Sequence, residues 1–180
     1  ALRDAGATVE EVELDLSPGR AAFLQLRGEL MVTSHYDRLD KLDKFGPNLA
    51  GNIRAGLAQS PRDVALGERG RNLVRNRLLD LFERFDALAS PTTAVLPFPV
   101  EQNYPETING RRMATYIDWV APTSLITLAA VPAISVPCGL VGGLPVGLQI
   151  TATAGGEERV LSVAGAVEAA NPIGRPALLG

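Results

Sequence analysis

The feature that most constrains the fold is a pair of apolar runs within residues 131–152, separated by Gly142 and Gly143. Both runs are rich in β-branched residues, so the sequence predicts strands over residues 133–136 and 146–152. The two glycines predict a tight connection, because glycine adopts the backbone conformations that turns need. Near-continuous apolar strands are typical of a sheet that is covered on both faces.

Most of the remaining chain carries apolar residues at helical spacing, with further short strands predicted at residues 8–14 and 86–89. Strands interleaved with helices indicate the α/β fold class, here a mixed, mostly buried β-sheet that is covered by helices. The predicted helices span residues 21–36, 48–59, 61–84, 114–130 with a disturbance at Pro122, and a last helix that starts at residues 155–158.

The predicted helix at residues 61–84 has a complete start signal. Ser60 fits the N-cap, Pro61 the first helical position, and Asp63 the positively polarised first turn. Its arginines lie mostly outside the apolar stripe, which predicts a solvated face with ion pairs rather than a polyanion site. The stripe predicted to be buried consists of Leu66, Leu73, Val74, Leu78, Leu81, Phe82 and Phe85.

In the last helix the residues predicted to face inward are Val160, Leu161, Val163, Ala164 and Val167.

Composition bounds the classes of function that the chain can have. Seventeen basic and 20 acidic residues give a net charge of −3, which offers no electrostatic basis for binding nucleic acid. Cys138 is the only cysteine, so no intrachain disulfide forms and a cytoplasmic location is expected. Three prolines interrupt the apolar stretch 125–148, and a membrane-spanning helix needs about 20 uninterrupted apolar residues, so none is predicted.

The chain opens without a methionine, and residues 1–7 are typical of the last turn of a helix that ends at Gly6. A unit that opens in this way is expected to be a piece of a longer protein. On this interpretation residues 1–180 form a single unit, the C-terminal part of a larger α/β/α domain. Residues 94–112 form a long loop within it, and loops of this length in compact domains are usually functional.

We find no complete catalytic constellation in the chain. A serine hydrolase needs a nucleophile, a base that takes its proton and hydrogen-bond donors for the oxyanion. His35, the sole histidine, lies in a predicted helix and is interpreted as a packing or surface residue. Ser135 is expected to bond backbone within its strand, and Cys138 is interpreted as a small buried hydrophobe. Neither metal-ligand spacing nor a phosphate-binding glycine loop is found, so no metal and no cofactor are predicted.

A series of motifs between Phe85 and Glu168 resembles the C-terminal half of the amidase signature family of serine amide hydrolases. Each motif is weak by itself, but their order is specific. The motifs are FDALASPTT at 85–93, PFP at 97–99, NGR at 109–111, YIDW at 116–119, VPAISVPCG at 131–139, GLPVGLQI at 143–150 and EERVL at 157–161. Residues 1–16 resemble the family's lead into the same half, so the resemblance covers nearly the whole chain.

The resemblance implies an amidase that works through a serine acyl-enzyme, in which a second serine and a lysine activate the nucleophile. In the family these residues precede the region that is matched here. No position of this chain matches them, so no catalytic residue is assigned. The resemblance implies that the chain completes the sheet and one wall of the acyl pocket, that the upstream half helps to hold a small-molecule amide substrate, and that the chain alone is inactive.

Four residues are assigned to the pocket wall as substrate-binding residues. Thr92 and Thr93 follow the end of a predicted strand, where ligand sites gather in open α/β sheets. Asp118 and Trp119 come just after the loop at residues 94–112, which is therefore expected near the pocket. A cap or solvated position for Asp118, and a core position for Trp119, stay open as alternatives.

In the glutamine-using relatives, an aspartate near this place resembles a residue that binds the ammonium group of the substrate. In this sequence the spacing from Asp118 to the following strand motif is longer, and Trp119 replaces an apolar neighbour. Both differences argue against an ammonium-bearing substrate.

Two other roles stay open: a non-catalytic interaction module, and an amidase-like subunit of a transamidation complex. The residues between Asn103 and Trp119 favour a stand-alone amidase over the second role. Strands that normally meet an upstream half would expose an edge and apolar surface, so a homo-oligomer or partner binding is expected.

Overall fold

The computed structural model describes residues 2–172 of the 180-residue chain. Contacts between residues divide it into two compact units: a helical unit, Asp15–Arg77, and a sheet unit of residues 2–14 and 78–172. The architecture is mixed, with helices and small antiparallel sheets, which confirms the predicted α/β fold class. None of the described helices combines the length and the apolar character that crossing a bilayer requires.

The α-helices before residue 83 were predicted from apolar spacing, whereas a 3₁₀ segment that lies between two of them was not predicted. These elements are α1 (Gly19–Ser34), a 3₁₀ segment (Tyr36–Lys44), α2 (Pro47–Leu57) and α3 (Pro61–Phe82). Each α-helix lies within a few residues of its predicted bounds.

The start of α3 confirms the predicted cap. The hydroxyl oxygen of Ser60 accepts a hydrogen bond from the backbone N–H of Asp63 at 3.3 Å. Asp63 Oδ2 accepts in return from the backbone N–H of Ser60 at 2.8 Å and from its hydroxyl at 2.6 Å. These bonds from Ser60 hold the pKa of the Asp63 carboxyl below its usual value. The exchange satisfies donors that a helix N-terminus otherwise leaves without partners.

Small residues bring the helices of the helical unit together. At the crossing of α1 and α2, a Cβ atom added to Gly56 would lie 2.6 Å from the carbonyl carbon of Gly28. A Cβ added to Gly70 of α3 would lie 2.7 Å from the Cβ of Ala22 in α1. Because a side chain at Gly56 or Gly70 would overlap these atoms, the helices can approach this closely only where glycine is present.

The predicted buried stripe of α3 is correct in part. Val74 and Leu78 are fully buried, but Leu66 and Leu73 are 46% and 41% exposed. The contact with α1 is made instead by Gly67 and Gly70, which the apolar periodicity did not mark. Arginines of this helix do form ion pairs, as expected: Arg71 with Glu68 at 2.7 Å, and Arg77 with Asp15 at 2.9 Å.

Antiparallel pairing organises the sheet unit. Its main sheet has the strand order β1–β5–β4, and a separate two-stranded hairpin, β2–β3, lies inside the loop at residues 94–112. The bounds are β1 (Leu88–Pro91), β2 (Thr107–Ile108), β3 (Arg111–Arg112), a 3₁₀ segment (Asp118–Val120), α4 (Ala121–Leu128), β4 (Ala133–Val141), β5 (Leu144–Thr151) and α5 (Glu157–Ala170).

The predicted tight connection between the two apolar strands is confirmed. Gly142 and Gly143 join β4 to β5 with φ angles of +59° and +80°, which suit the two-residue hairpin turns that match strand twist. Both strands extend beyond their predicted ends to reach this turn.

The core of the sheet unit lies between the β4–β5 hairpin and α5. Val136 and Ile150 are buried there against Ala164 and Val167 of the helix. Alternate residues of β4, such as Ser135, are exposed. Among the described residues, α5 therefore covers one face of β4 and the alternating positions on the other face are open.

Near the N-terminus, the predicted end of a helical turn at Gly6 is confirmed. Gly6 has a φ of +88°, its N–H bonds to the carbonyl of Arg3 at 3.0 Å, and the N–H of Ala7 bonds to the carbonyl of Leu2 at 3.1 Å. This pair of bonds is the Schellman motif that ends many helices.

Three local predictions are wrong. Residues 8–14 form no strand, because alternation supplies no pairing partner by itself. The helix predicted over residues 114–130 is only α4 with the 3₁₀ segment before it, since Pro122 suits a first helical turn and not an interior one. Leu161 of α5 is 62% exposed rather than inward-facing, while Val160, Ala164 and Val167 are buried as predicted.

Candidate substrate pocket

A cavity of about 650 Å³ lies within the sheet unit. Its walls come from residues 89–91 and 93–98, Trp119, Cys138, and residues 145–148 of β5. None of these lining residues has a charged side chain, and most are apolar. Small-molecule sites of this size, about 300–1,000 Å³, typically have walls of this composition.

An aromatic pair forms one side of the cavity. The rings of Phe98 and Trp119 lie with centroids 5.3 Å apart and planes at 86°, an edge-to-face arrangement. Both side chains are half-buried. Perpendicular packing places the positive edge of one ring on the negative face of the other, which stabilises the pair beyond simple burial.

The hydroxyl groups on the cavity wall already have partners in the chain. Ser90 Oγ accepts from Nε2 of the buried Gln149 at 3.3 Å, and Gln149 also donates to the carbonyl of Pro122 at 3.2 Å. Thr93 Oγ1 donates to the carbonyl of Val95 at 3.0 Å. These bonds brace the wall and leave its chemical character largely apolar.

Two hydroxyl groups meet across β5. The side-chain oxygens of Thr92 and Ser135 lie 2.6 Å apart, and the backbone N–H of Thr92 donates to the carbonyl of Gly147 at 3.0 Å. A Cβ at Gly147 would lie 2.7 Å from both hydroxyl oxygens. The glycine therefore lets two strands on either side of β5 touch across it, and Ser135 bonds a side chain, not backbone as expected.

Cys138 reaches the cavity through a β-bulge. The β4–β5 register shifts between Pro137 and Gly139, so Cys138 is the extra residue without a strand partner. Its carbonyl accepts from Asn171 Nδ2 at 2.9 Å. The side chain is only half-buried, which corrects the interpretation of Cys138 as a fully buried hydrophobe.

The structure separates the four predicted substrate-binding residues into two groups. Thr93 and Trp119 line the cavity, whereas Thr92 and Asp118 do not. Asp118 Oδ2 accepts hydrogen bonds from the backbone N–H groups of Ala114 and Thr115, at 2.8 and 2.9 Å. The Asp118 carboxylate therefore braces the turn that leads into the 3₁₀ segment.

Phe98 is a cavity residue that the assignment of site residues missed. It belongs to the PFP motif at residues 97–99, which contributed only to the family resemblance. That motif was the available signal, but nothing local to it shows that its ring meets Trp119.

The sole histidine has a local packing role in the helical unit. His35 Nδ1 donates to the carbonyl of Met31 at 3.1 Å, and its ring packs edge-to-face on Phe45 with centroids 5.3 Å apart. No group of three or more His, Cys, Asp or Glu side chains among residues 2–172 is arranged to hold a metal ion.

The family model of the amidases matches residues 1–161, so the chain belongs to the amidase family, the amidase signature enzymes. This confirms the resemblance that was drawn from the motifs. It also defines the class of protein in which the cavity lies.

Particular relatives are similar over most of this chain. A glutamyl-tRNA(Gln) amidotransferase subunit from Roseiflexus sp. (strain RS-1) is 30% identical over 192 aligned residues, which cover 93% of this chain and 38% of that protein. The subunit of the same name from Salinispora arenicola (strain CNS-205) is 37% identical over 142 residues, which cover 74% and 27%. The crystal structure of an amidase superposes with a TM-score of 0.85 at 26% identity and covers 94% of this chain and 39% of its own.

The chain thus spans between about a quarter and two fifths of the length of these proteins. The residues matched by the family model include the β4–β5 hairpin and all the residues that line the cavity.

Proposed function

We propose that this chain forms one wall of the substrate pocket of an amidase that hydrolyses carbon–nitrogen amide bonds through a serine acyl-enzyme. In this proposal the nucleophile and its activating groups come from residues outside the chain. The observation that carries it is the cavity, which lies in the family-matched region and is lined mostly by apolar and aromatic side chains.

The lining residues explain why this wall can shape the substrate pocket but does not supply the groups that react with the amide. Acyl transfer needs a base beside the nucleophile and donors for the oxyanion. No His, Lys, Asp or Glu lines the cavity, and the hydroxyls of Ser90 and Thr93 are held by Gln149 and Val95. The wall can position an amide and exclude water, but it offers no activated nucleophile.

The chain alone should therefore be inactive. Loss of a nucleophile costs about a millionfold in kcat in well-studied serine hydrolases. We expect no stoichiometric serine labelling when the purified chain is incubated with a fluorophosphonate probe, and no release of aniline from an anilide substrate. Labelling of one serine per chain would refute the proposal.

The coding DNA upstream of Ala1 separates the amidase from an interaction module. The proposal expects an in-frame Gly/Ser-rich signature preceded by a lysine codon. When that longer product is expressed, it should hydrolyse amides, and replacement of the signature serine should abolish turnover. A start codon at this point, or an unrelated upstream domain, would favour the module.

A transamidation subunit is the second candidate, because two similar relatives are named as subunits of glutamyl-tRNA(Gln) amidotransferase. Two observations disfavour it: no lining residue of the cavity has a charged side chain, and Asp118 is not among the lining residues. Glutamine hydrolysis by the longer product, at a rate above that with neutral anilides, would favour this candidate.

A further inference from the structure

We infer that the cavity binds the uncharged aromatic group of a neutral aryl amide, and that Phe98 and Trp119 determine this specificity. The inference rests on the proposed function, which it deepens by naming the substrate class. It is carried by the electrostatics of the wall, by the geometry of the aromatic pair and by the size of the cavity.

The lack of charged side chains on this wall disfavours charged ligands. An ammonium or carboxylate group that enters an apolar cavity loses its hydration, and that loss is costly unless a protein charge or hydrogen bond replaces it. The lining has no charged side chain to do so. The nearby carboxylate of Asp118 binds the N–H groups of Ala114 and Thr115 and is not among the lining residues.

Neutral hydrogen-bonding ligands are also poorly served by the side chains of the wall. Ser90 already accepts from Gln149, and Thr93 already donates to Val95. The wall offers only these two hydroxyl groups, so a sugar with many polar groups would leave most of those groups without a side-chain partner on this wall. An apolar group meets no such cost.

Ring geometry favours an aromatic group over an aliphatic one. Two rings at 86° with centroids 5.3 Å apart form a corner with two aromatic surfaces. A third ring placed in that corner can stack on one ring and meet the other edge-on, both favourable arrangements. The volume of about 650 Å³ is ample for an anilide.

The chain contains its own reporter of binding. Trp119 is the sole tryptophan and Cys138 the sole cysteine, and both line the cavity. Tryptophan fluorescence and cysteine alkylation therefore report on this cavity alone, and neither measurement needs catalysis.

The experiment titrates the 180-residue chain with acetanilide, with acetamide as the aliphatic amide and glutamine as the charged one. We expect acetanilide to change Trp119 emission saturably and to slow alkylation of Cys138 by N-ethylmaleimide. Acetamide and glutamine should bind at least about tenfold more weakly, the factor expected for an aromatic contact.

Variants assign the effect to the aromatic pair. Phe98→Ala should weaken acetanilide binding about tenfold, and Phe98→Leu, which keeps apolar bulk but no ring, should weaken it by a similar factor. Val100→Ala is the matched control, because Val100 lies in the same segment, is 92% exposed and does not line the cavity; its binding should stay within about twofold.

The inference is overturned if acetanilide gives no saturable change, if glutamine or acetamide binds as tightly, or if Phe98→Leu binds as the unaltered chain does. These results are independent of turnover. Amide hydrolysis by the longer product without acetanilide binding would leave the proposed function standing and remove only the aromatic specificity.

Discussion

The helical unit and the sheet unit achieve close packing by opposite means. Where α1 crosses α2, Gly28 and Gly56 approach so closely that no side chain fits between them. Where α5 covers the hairpin, the branched side chains of Val136, Ile150 and Val167 fill the space. The two units are therefore packed in different ways. Adding atoms at the glycine contacts should destabilise the helical unit, and removing buried side-chain atoms should destabilise the sheet unit.

The largest effect is expected in the sheet unit. Ile150→Ala removes a fully buried side chain between β5 and α5, and the cavity that remains should lower the free energy of unfolding by about 3 kcal/mol. Urea unfolding followed by far-UV circular dichroism measures it.

Leu161→Ala is the control for that substitution, because Leu161 also belongs to the apolar set around α5 but is exposed. It should change the free energy of unfolding by no more than about 0.5 kcal/mol. Equal losses for the two variants would show that the core does not lie where the hairpin meets α5.

The reverse substitution tests the helical unit. Gly56→Ala adds one methyl group where the backbone of Gly28 already lies, so the helices must separate, at a cost of about 2 kcal/mol. Gly51→Ala, in the same helix, points into open space and should be neutral or slightly stabilising, since alanine favours helix. If both variants have the same stability in urea, the close helix crossing is wrong.

The smallest effect concerns the cap of α3. Ser60→Ala removes the hydroxyl that exchanges hydrogen bonds with Asp63 and should cost about 1 kcal/mol at neutral pH. The pKa of Asp63 is lowered in the folded state, mainly by these bonds to Ser60. Its contribution to stability is therefore present above the unfolded value of about 4 and is lost as the pH falls through the lowered folded value.

Acid titration separates this cap from general acid sensitivity. In Ser60→Ala the pKa of Asp63 should rise towards its usual value in an NMR titration. The pKa of Asp15, which Ser17 and Arg77 lower independently, should not move. A shift at both carboxyls, or at neither, would contradict the local origin of the effect.

Features that depend on a few neighbouring residues could be predicted from the sequence. Ser60 and Asp63 cap α3, and Gly142 and Gly143 turn the hairpin, because caps and turns are decided within four residues. Burial of particular side chains could not be predicted in the same way. Leu66 had the correct periodicity but is exposed, since Gly70 makes the close approach to α1.

The candidate site shows the same division. Trp119 and Thr93 were predicted at the pocket and line the cavity, but Phe98 was missed, and the Asp118 carboxylate bonds backbone N–H groups of the preceding turn. The partners of Asp118 lie within four residues of it, whereas the rings of Phe98 and Trp119 meet from segments that are separate in sequence.

The sequence by itself determined the α/β class, the hairpin, the start of α3 and the membership of the amidase family, because local backbone preferences and the order of the motifs depend on the sequence alone. Only the tertiary structure decided that Phe98 meets Trp119 and that the hydroxyls of Thr92 and Ser135 meet across Gly147. The physical reason is that a pocket forms from contacts between separate segments, and the free energy of those contacts depends on packing that no single stretch of sequence contains.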